Sequence, residues 1–103
     1  MKHAGARALD RLEPLLILIR SRTALVERRR GVFYRVGSAF LHFHEDPAGL
    51  FADMKVDGIF RRSPVNTATQ QSALLRRAVR LAAGVGPSRV APRSGQRRPL
   101  GGR

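Results

Sequence analysis

Cysteine is absent from the sequence, and long apolar runs are absent as well. Without cysteine the chain has no disulfide framework, no thiolate metal site and no cysteine nucleophile. The longest strongly apolar run is PLLILI, from Pro14 to Ile19, whereas a membrane-spanning helix needs about 20 apolar residues. Charged residues closely precede this run, which is unlike a secretory signal peptide. We therefore expect a cytoplasmic protein without a membrane partner.

Acidic residues are scarce. Seven Asp and Glu stand against 20 Lys and Arg, so the formal net charge is +13 and the sequence pI is about 12.0. A chain with this charge attracts polyanions, and nucleic acid is the partner that we expect. Arginine outnumbers lysine eighteen to two, which a GC-rich coding sequence would also explain. A length of 103 residues gives room for one small domain with one core.

The first apolar segment predicts a helix. Apolar residues recur in it at three- and four-residue steps, at Leu9, Leu12, Leu16 and Ile19. Pro14 fits best in a first turn, so this helix would begin near Glu13. The run LLILI also fits a buried strand, and the sequence leaves both interpretations open.

The segment GVFYRVGSAFLHFHE predicts a β-hairpin. Gly37 and Ser38 form a two-residue pair suited to a type II′ turn. That turn would place Val36 opposite Ala39, Tyr34 opposite Leu41 and Val32 opposite Phe43, all on one apolar face. The other face would carry rings and cations, namely Phe33, Arg35, Phe40, His42, His44, Phe51 and Lys55. A slip of one residue would exchange the two faces, so the apolar character of one face supports this register.

Two more strands and a second helix follow. LFADMKV alternates in polarity, Asp57-Gly58 predicts a tight turn, and a short edge strand would then place Arg62 across from Asp53. Thr67 and Gln70 match a capping box at the start of a helix that runs to about Ala83. The predicted fold class is α+β: an N-terminal helix, an antiparallel meander of three to four strands, and a C-terminal helix packed on the sheet. We expect one domain over residues 1–83 and a disordered basic tail over residues 84–103.

The stretch YRVGSAFLHFHEDPAGLFADMKV resembles the MmcQ/YjbR-like family of small bacterial proteins. The resemblance covers roughly residues 31–83 and extends to small uncharacterised actinobacterial proteins with a similar segment. It implies an α/β fold related to the CyaY-like one and a DNA-binding role. The family has no defining catalytic motif, so the resemblance implies no catalytic residues.

The histidines in HFHED raise the question of a metal site. His42 and His44 alternate on a strand, so they point to the same side with Cα atoms roughly 6–7 Å apart. Two imidazoles at this spacing can chelate zinc, but a catalytic site needs a third protein ligand, for which Asp46 and the distant His3 are the candidates. With only two ligands in place, the sequence predicts no metal or other cofactor. No activated nucleophile or phosphate-binding loop is present, so neither an enzyme nor a small-molecule substrate is expected.

Rings and cations on one sheet face are typical of proteins that bind single-stranded nucleic acid. The expected function is weak, largely sequence-independent nucleic-acid binding, to DNA or to RNA. The predicted contact residues are Arg28, Arg29, Arg30, Phe33, Arg35, Phe40, Arg61, Arg62, Arg76, Arg77 and Arg80. In one alternative the first helix or a second subunit covers the aromatic face, so that Phe33, Phe40 and Phe51 are core residues or form a protein interface, for example of a homodimer. In another, His42 and His44 form the centre of a metal-dependent enzyme.

Overall fold

The computed structural model describes residues 1–84. Its elements, in chain order, are β1 (Lys2–His3), α1 (Ala6–Arg22), β2 (Val26–Arg29), β3 (Val32–Arg35), β4 (Ser38–Asp46), β5 (Gly49–Val56), β6 (Ile59–Pro64) and α2 (Ala68–Ala82). The strands form one antiparallel sheet in the order β2-β3-β4-β5-β6, and β1 also pairs with β4. The predicted α+β class, with a helix at each end of an antiparallel meander, is confirmed. The predicted tail lies, from Val85 onward, outside the described residues.

The first apolar segment is a helix and not a strand, and it begins earlier than expected. Helix α1 starts at Ala6 and continues through Pro14. A proline inside a helix removes one backbone hydrogen bond, to the carbonyl four residues earlier. Pro14 and Asp10, whose carbonyl loses that bond, are both exposed, so water can satisfy the carbonyl. The opposite side of the helix buries a stripe made of Ala8, Leu9, Leu12, Leu15, Leu16 and Ile19.

The β3–β4 hairpin reverses one residue earlier than predicted. Arg35 pairs with Ser38, so the two turn residues are Val36 and Gly37, with φ of 50° and 78°. Positive φ at both central residues is the geometry of a type I′ turn, which matches the twist of the flanking strands.

A β-bulge then changes the register of the hairpin. Tyr34 pairs with Ala39, but Phe33 pairs with Leu41, so β4 contributes one extra residue, Phe40. The predicted pairs of Tyr34 with Leu41 and of Val32 with Phe43 are therefore wrong. The reason lies in the core: Phe33 packs beneath the helices with no exposed surface, while its neighbours in β3 are only partly buried.

Both helices pack on one face of the sheet. The core there joins α1 and α2 to sheet residues, which include Phe33, Leu41, Phe43, Leu50, Ala52 and Met54. Helix α2 begins with the predicted capping box, since Thr67 Oγ1 accepts a bond of 3.1 Å from Gln70 N and Gln70 Oε1 accepts one of 3.2 Å from Thr67 N. Among the described residues, no helix has the length and apolar character needed to cross a membrane.

The other face of the sheet is not covered by either helix, and we call it the open face. Strand register assigns to it His3, Tyr34, His42, His44, Phe51, Asp53, Lys55, Phe60 and Arg62. Strand β1 lies beside β4 just beyond the last pair of β3, Val32 with His42, and there His3 pairs with His44. The open face therefore collects side chains from β1 and from the four strands β3 to β6.

Replacing Gly31 and Gly37 separately with alanine tests how closely α1 packs on the sheet. Both glycines have left-handed φ, +80° and +78°, but a Cβ at Gly31 would lie 2.7 Å from Leu9 Cδ2, while one at Gly37 would meet nothing within 4 Å. Left-handed strain costs each variant about 1–2 kcal/mol. Gly31→Ala should lose about 1–3 kcal/mol more, because Leu9 must move within the core. Urea unfolding measures both losses, and equal values would contradict this packing.

Candidate functional site

All three histidines of the chain meet on the open face. His3, His42 and His44 each offer a ligand nitrogen, and these atoms lie within 4.8 Å of one another. The ring centroids of His3 and His44 are 4.7 Å apart, and those of His42 and His44 are 4.9 Å apart. We call this group the histidine cluster. The sequence correctly placed His42 and His44 on one side of a strand, and of the two candidates for a third ligand it is His3 that joins them.

The two strand histidines are directly bonded. His42 Nδ1 and His44 Nε2 are 2.8 Å apart, so one of these nitrogens carries the proton and the other accepts it. His44 is only 9% exposed, and its Nδ1 is buried without a hydrogen-bond partner. An unpaired polar atom of this kind is uncommon in a folded protein and costs free energy.

A buried carboxylate supports the cluster from one side. Asp53 Oδ2 lies 3.3 Å from His44 Nε2, and Asp53 is 6% exposed. Arg62 donates to both Asp53 oxygens at 2.8 Å through Nε and Nη2, a two-point pairing that holds the carboxylate in place. The predicted juxtaposition of Asp53 with Arg62 is confirmed, and Asp53 is nearly buried.

The surroundings disfavour protonation of the two strand histidines, His42 and His44. Burial, and next the neighbouring His44, lower the pKa of His42 below its ordinary value. Burial also lowers the pKa of His44, although Asp53 and the backbone of Lys2 act in the opposite direction. The hydrogen bonds from Arg62 lower the pKa of Asp53, so this group stays a carboxylate. Near neutral pH the two strand histidines are therefore neutral imidazoles, the form that binds metals.

Of the three phenylalanines predicted on this face, Phe51 lies on the open face, but Phe33 and Phe40 do not. Phe33 and Phe40 are 0% and 5% exposed and belong to the core, so neither can stack on a base. Arg35 points toward the helix layer, where its Nε donates to the carbonyl of Ala82. These corrections follow from the bulge at Phe40, since a shift of one residue moves a side chain to the other face.

Other rings take the place of the predicted ones. Phe60 is 40% exposed and lies 4.8 Å from the ring of His42 and 5.3 Å from Lys55 Nζ. Tyr34 is covered on one side by Arg28, whose Cζ lies 4.8 Å from the ring centroid. A signal for Phe60 was present in the sequence: if Arg62 faces Asp53, the antiparallel register also places Phe60 opposite Lys55, as the structure does.

The predicted arginines divide into two groups. Arg30 pairs with Asp10 and Glu13, Arg62 pairs with Asp53, and Arg77 donates to Ser63 Oγ. Within residues 1–84, no ion pair involves the other predicted surface arginines, which are Arg28, Arg29, Arg61, Arg76 and Arg80. In the sequence no acidic residue follows Asp57, although ten arginines do. The unbalanced positive charge is therefore concentrated toward the C-terminal side of the chain.

Comparisons of the chain with family models, curated proteins and solved structures found no match. The resemblance to the MmcQ/YjbR-like family therefore stays a prediction.

Arg62→Ala tests the support that Asp53 receives. We expect this change to lower the urea-unfolding midpoint clearly, because it leaves a nearly buried carboxylate without its two N–H donors. The matched control is Arg30→Ala, whose partners are on the exposed surface and which should change the midpoint little.

A double-mutant cycle separates this pairing from other effects of the substitution. In an Asp53→Asn background, Arg62→Ala should cost much less than in the natural chain. Equal costs in the two backgrounds would show that the Asp53–Arg62 pairing does not stabilise the fold.

Proposed function

We propose that the protein binds single-stranded nucleic acid on the open face, weakly and largely without sequence preference. The observation that carries the proposal is the exposed ring of Phe60 beside the ammonium group of Lys55, on a sheet face that neither helix covers. Exposed rings stack on unpaired bases, and neighbouring cations contact the phosphates.

The spacing of the rings suits several nucleotides. Phe60 is opposite Lys55 in β5, and Lys55 Nζ donates to Ser38 Oγ at 2.6 Å, near the turn of the β3–β4 hairpin. Tyr34 in β3 lies close to the same turn. Tyr34 and Phe60 are three strands apart, which corresponds to roughly 14 Å across the sheet. A strand of nucleic acid could cross this end of the sheet with one base on each ring and further bases between them.

The charges on the open face favour a polyanion. Arg28 lies over Tyr34 and Lys55 lies beside Phe60, so each ring has a cation close to it. Asp53, the carboxylate in the middle of this face, is paired with Arg62 and so repels phosphate little. The net charge of +13 adds a long-range attraction, and the resulting binding should weaken steeply with salt as counterions are released.

A second candidate function is self-association along an edge strand. Ile59 and Phe60 in β6 and Val26 in β2 are exposed apolar residues, and both strands are at the edges of the main sheet. Exposed edge strands with apolar side chains are suited to pairing with another chain. In this reading Phe60 contacts a second copy of the protein and not a base.

Phe60→Ala tests the stacking surface. With a labelled single-stranded oligonucleotide and fluorescence anisotropy, we expect the natural chain to bind at low salt. Phe60→Ala should lose about 1–3 kcal/mol of binding free energy, the usual cost of one stacked base. The control is Ile17→Ala, which removes an exposed apolar side chain from α1 on the other layer and should bind normally. The proposal fails if the natural chain does not bind at low salt or if the two variants bind alike.

A charge-matched pair tests where the ligand lies. Lys55→Ala and Arg76→Ala each remove one positive charge, but only Lys55 lies on the open face, whereas Arg76 is an exposed residue of α2. Lys55→Ala should weaken binding more, and equal losses would indicate attraction by net charge alone.

Sedimentation of the natural chain and of Phe60→Ala tests the second candidate function, self-association. A dimer that Phe60→Ala converts to a monomer would assign Phe60 to a protein interface.

A further inference from the structure

We infer that His3, His42 and His44 form a binding site for one divalent transition metal ion, with Zn²⁺ as the best match. The site lies on the same open face as the proposed nucleic-acid surface but uses different side chains, and it would stand if that proposal failed. Three imidazoles are a recognised ligand set for zinc, and they leave a fourth position open for water or another ligand.

The distances are close to those that zinc requires. In a tetrahedral site with Zn–N bonds of about 2.0–2.1 Å, the ligand nitrogens lie roughly 3.3–3.4 Å apart. The nitrogens of the histidine cluster are all within 4.8 Å of one another, and His42 Nδ1 and His44 Nε2 are already 2.8 Å apart. His3 is exposed and lies on a strand of two residues, so its ring can turn toward the other two without disturbing the core.

The small number of protons in the cluster also favours a cation. His44 Nε2 is the nitrogen that faces the cluster, since it lies 2.8 Å from His42 Nδ1 and 3.3 Å from Asp53 Oδ2, whereas the buried Nδ1 of the same ring points the other way. Three neutral imidazoles brought together have few protons to share, and a cation is the partner that suits several lone pairs at once.

The neighbouring residues support a cation at this position. Asp53 Oδ2 lies 3.3 Å from His44 Nε2, so a carboxylate oxygen, which is itself a type of zinc ligand, borders the nitrogen that would hold the ion. Arg62 holds that carboxylate at both oxygens, so Asp53 is positioned before any metal arrives. The chain has no cysteine and no fourth histidine, so soft thiolate sites and competing histidine sites are excluded by composition.

The experiment measures zinc binding to the full chain, prepared without a histidine tag and first dialysed against a chelator. Equilibrium dialysis with Zn²⁺ should give one ion per chain. His3→Ala and His42→Ala should each weaken binding by at least roughly 100-fold, the upper end of the loss expected for an outer-shell partner. Lys2→Ala, a change in the same short strand, is the matched control and should bind as the natural chain does.

His3→Ala is the decisive variant, because His3 is exposed and its removal should leave the urea-unfolding midpoint unchanged even if His42→Ala fails to fold. In NMR spectra one equivalent of Zn²⁺ should shift the imidazole signals of all three histidines together. Copper and nickel are avoided, because an amino terminus followed by backbone amides and a histidine offers them a square-planar nitrogen site by itself. No retained zinc, or a His3→Ala affinity within about twofold of the natural chain, would overturn the inference and leave a hydrogen-bonded structural cluster.

Discussion

The bulge at Phe40 decides which side chains of this protein are buried and which are displayed. Side chains of a strand alternate between the two faces of the sheet. One extra residue in β4 therefore moves every later residue of that strand by one position relative to β3, and this changes which β4 side chains share a face with those of β3. Because of that residue, Phe33 lies over the same core as Leu41 and Phe43. His42 and His44 consequently point away from the helices. The core and the histidine cluster thus depend on the same irregularity in one strand.

The arginines differ in whether they form ion pairs within the fold. On the helix layer Arg20 and Arg30 form ion pairs with Asp10, Glu13 and Glu27, and these pairs connect α1 to β2 and the turn that follows it. Exposed ion pairs of this kind add little stability, but they neutralise three of the seven acidic groups in the chain, Asp10, Glu13 and Glu27. Apart from Arg62, which pairs with Asp53, no other arginine within residues 1–84 forms an ion pair, and the net charge of +13 is the physical basis for expecting an anionic partner.

The histidine cluster and the proposed nucleic-acid surface are neighbours. Phe60 lies close to both His42 and Lys55, so it lies at the boundary between the two sites. A cation bound by the three histidines would add positive charge beside that ring, and its open coordination position would be close to any phosphate crossing the sheet. Each site can exist without the other. A charged ligand bound at one site would change the electrostatic potential at the other.

Local chemistry in the sequence determined much of the fold. The capping box at Thr67 involves residues only three positions apart, and the same-side placement of His42 and His44 needs only the two-residue period of a strand. The juxtaposition of Asp53 with Arg62 followed from a tight turn, which sets the register of a hairpin. Tertiary structure decided the rest. Phe33 enters the core because burying a ring outweighs regular pairing, and His3 joins the cluster through a strand pairing across 41 residues, which no local pattern encodes.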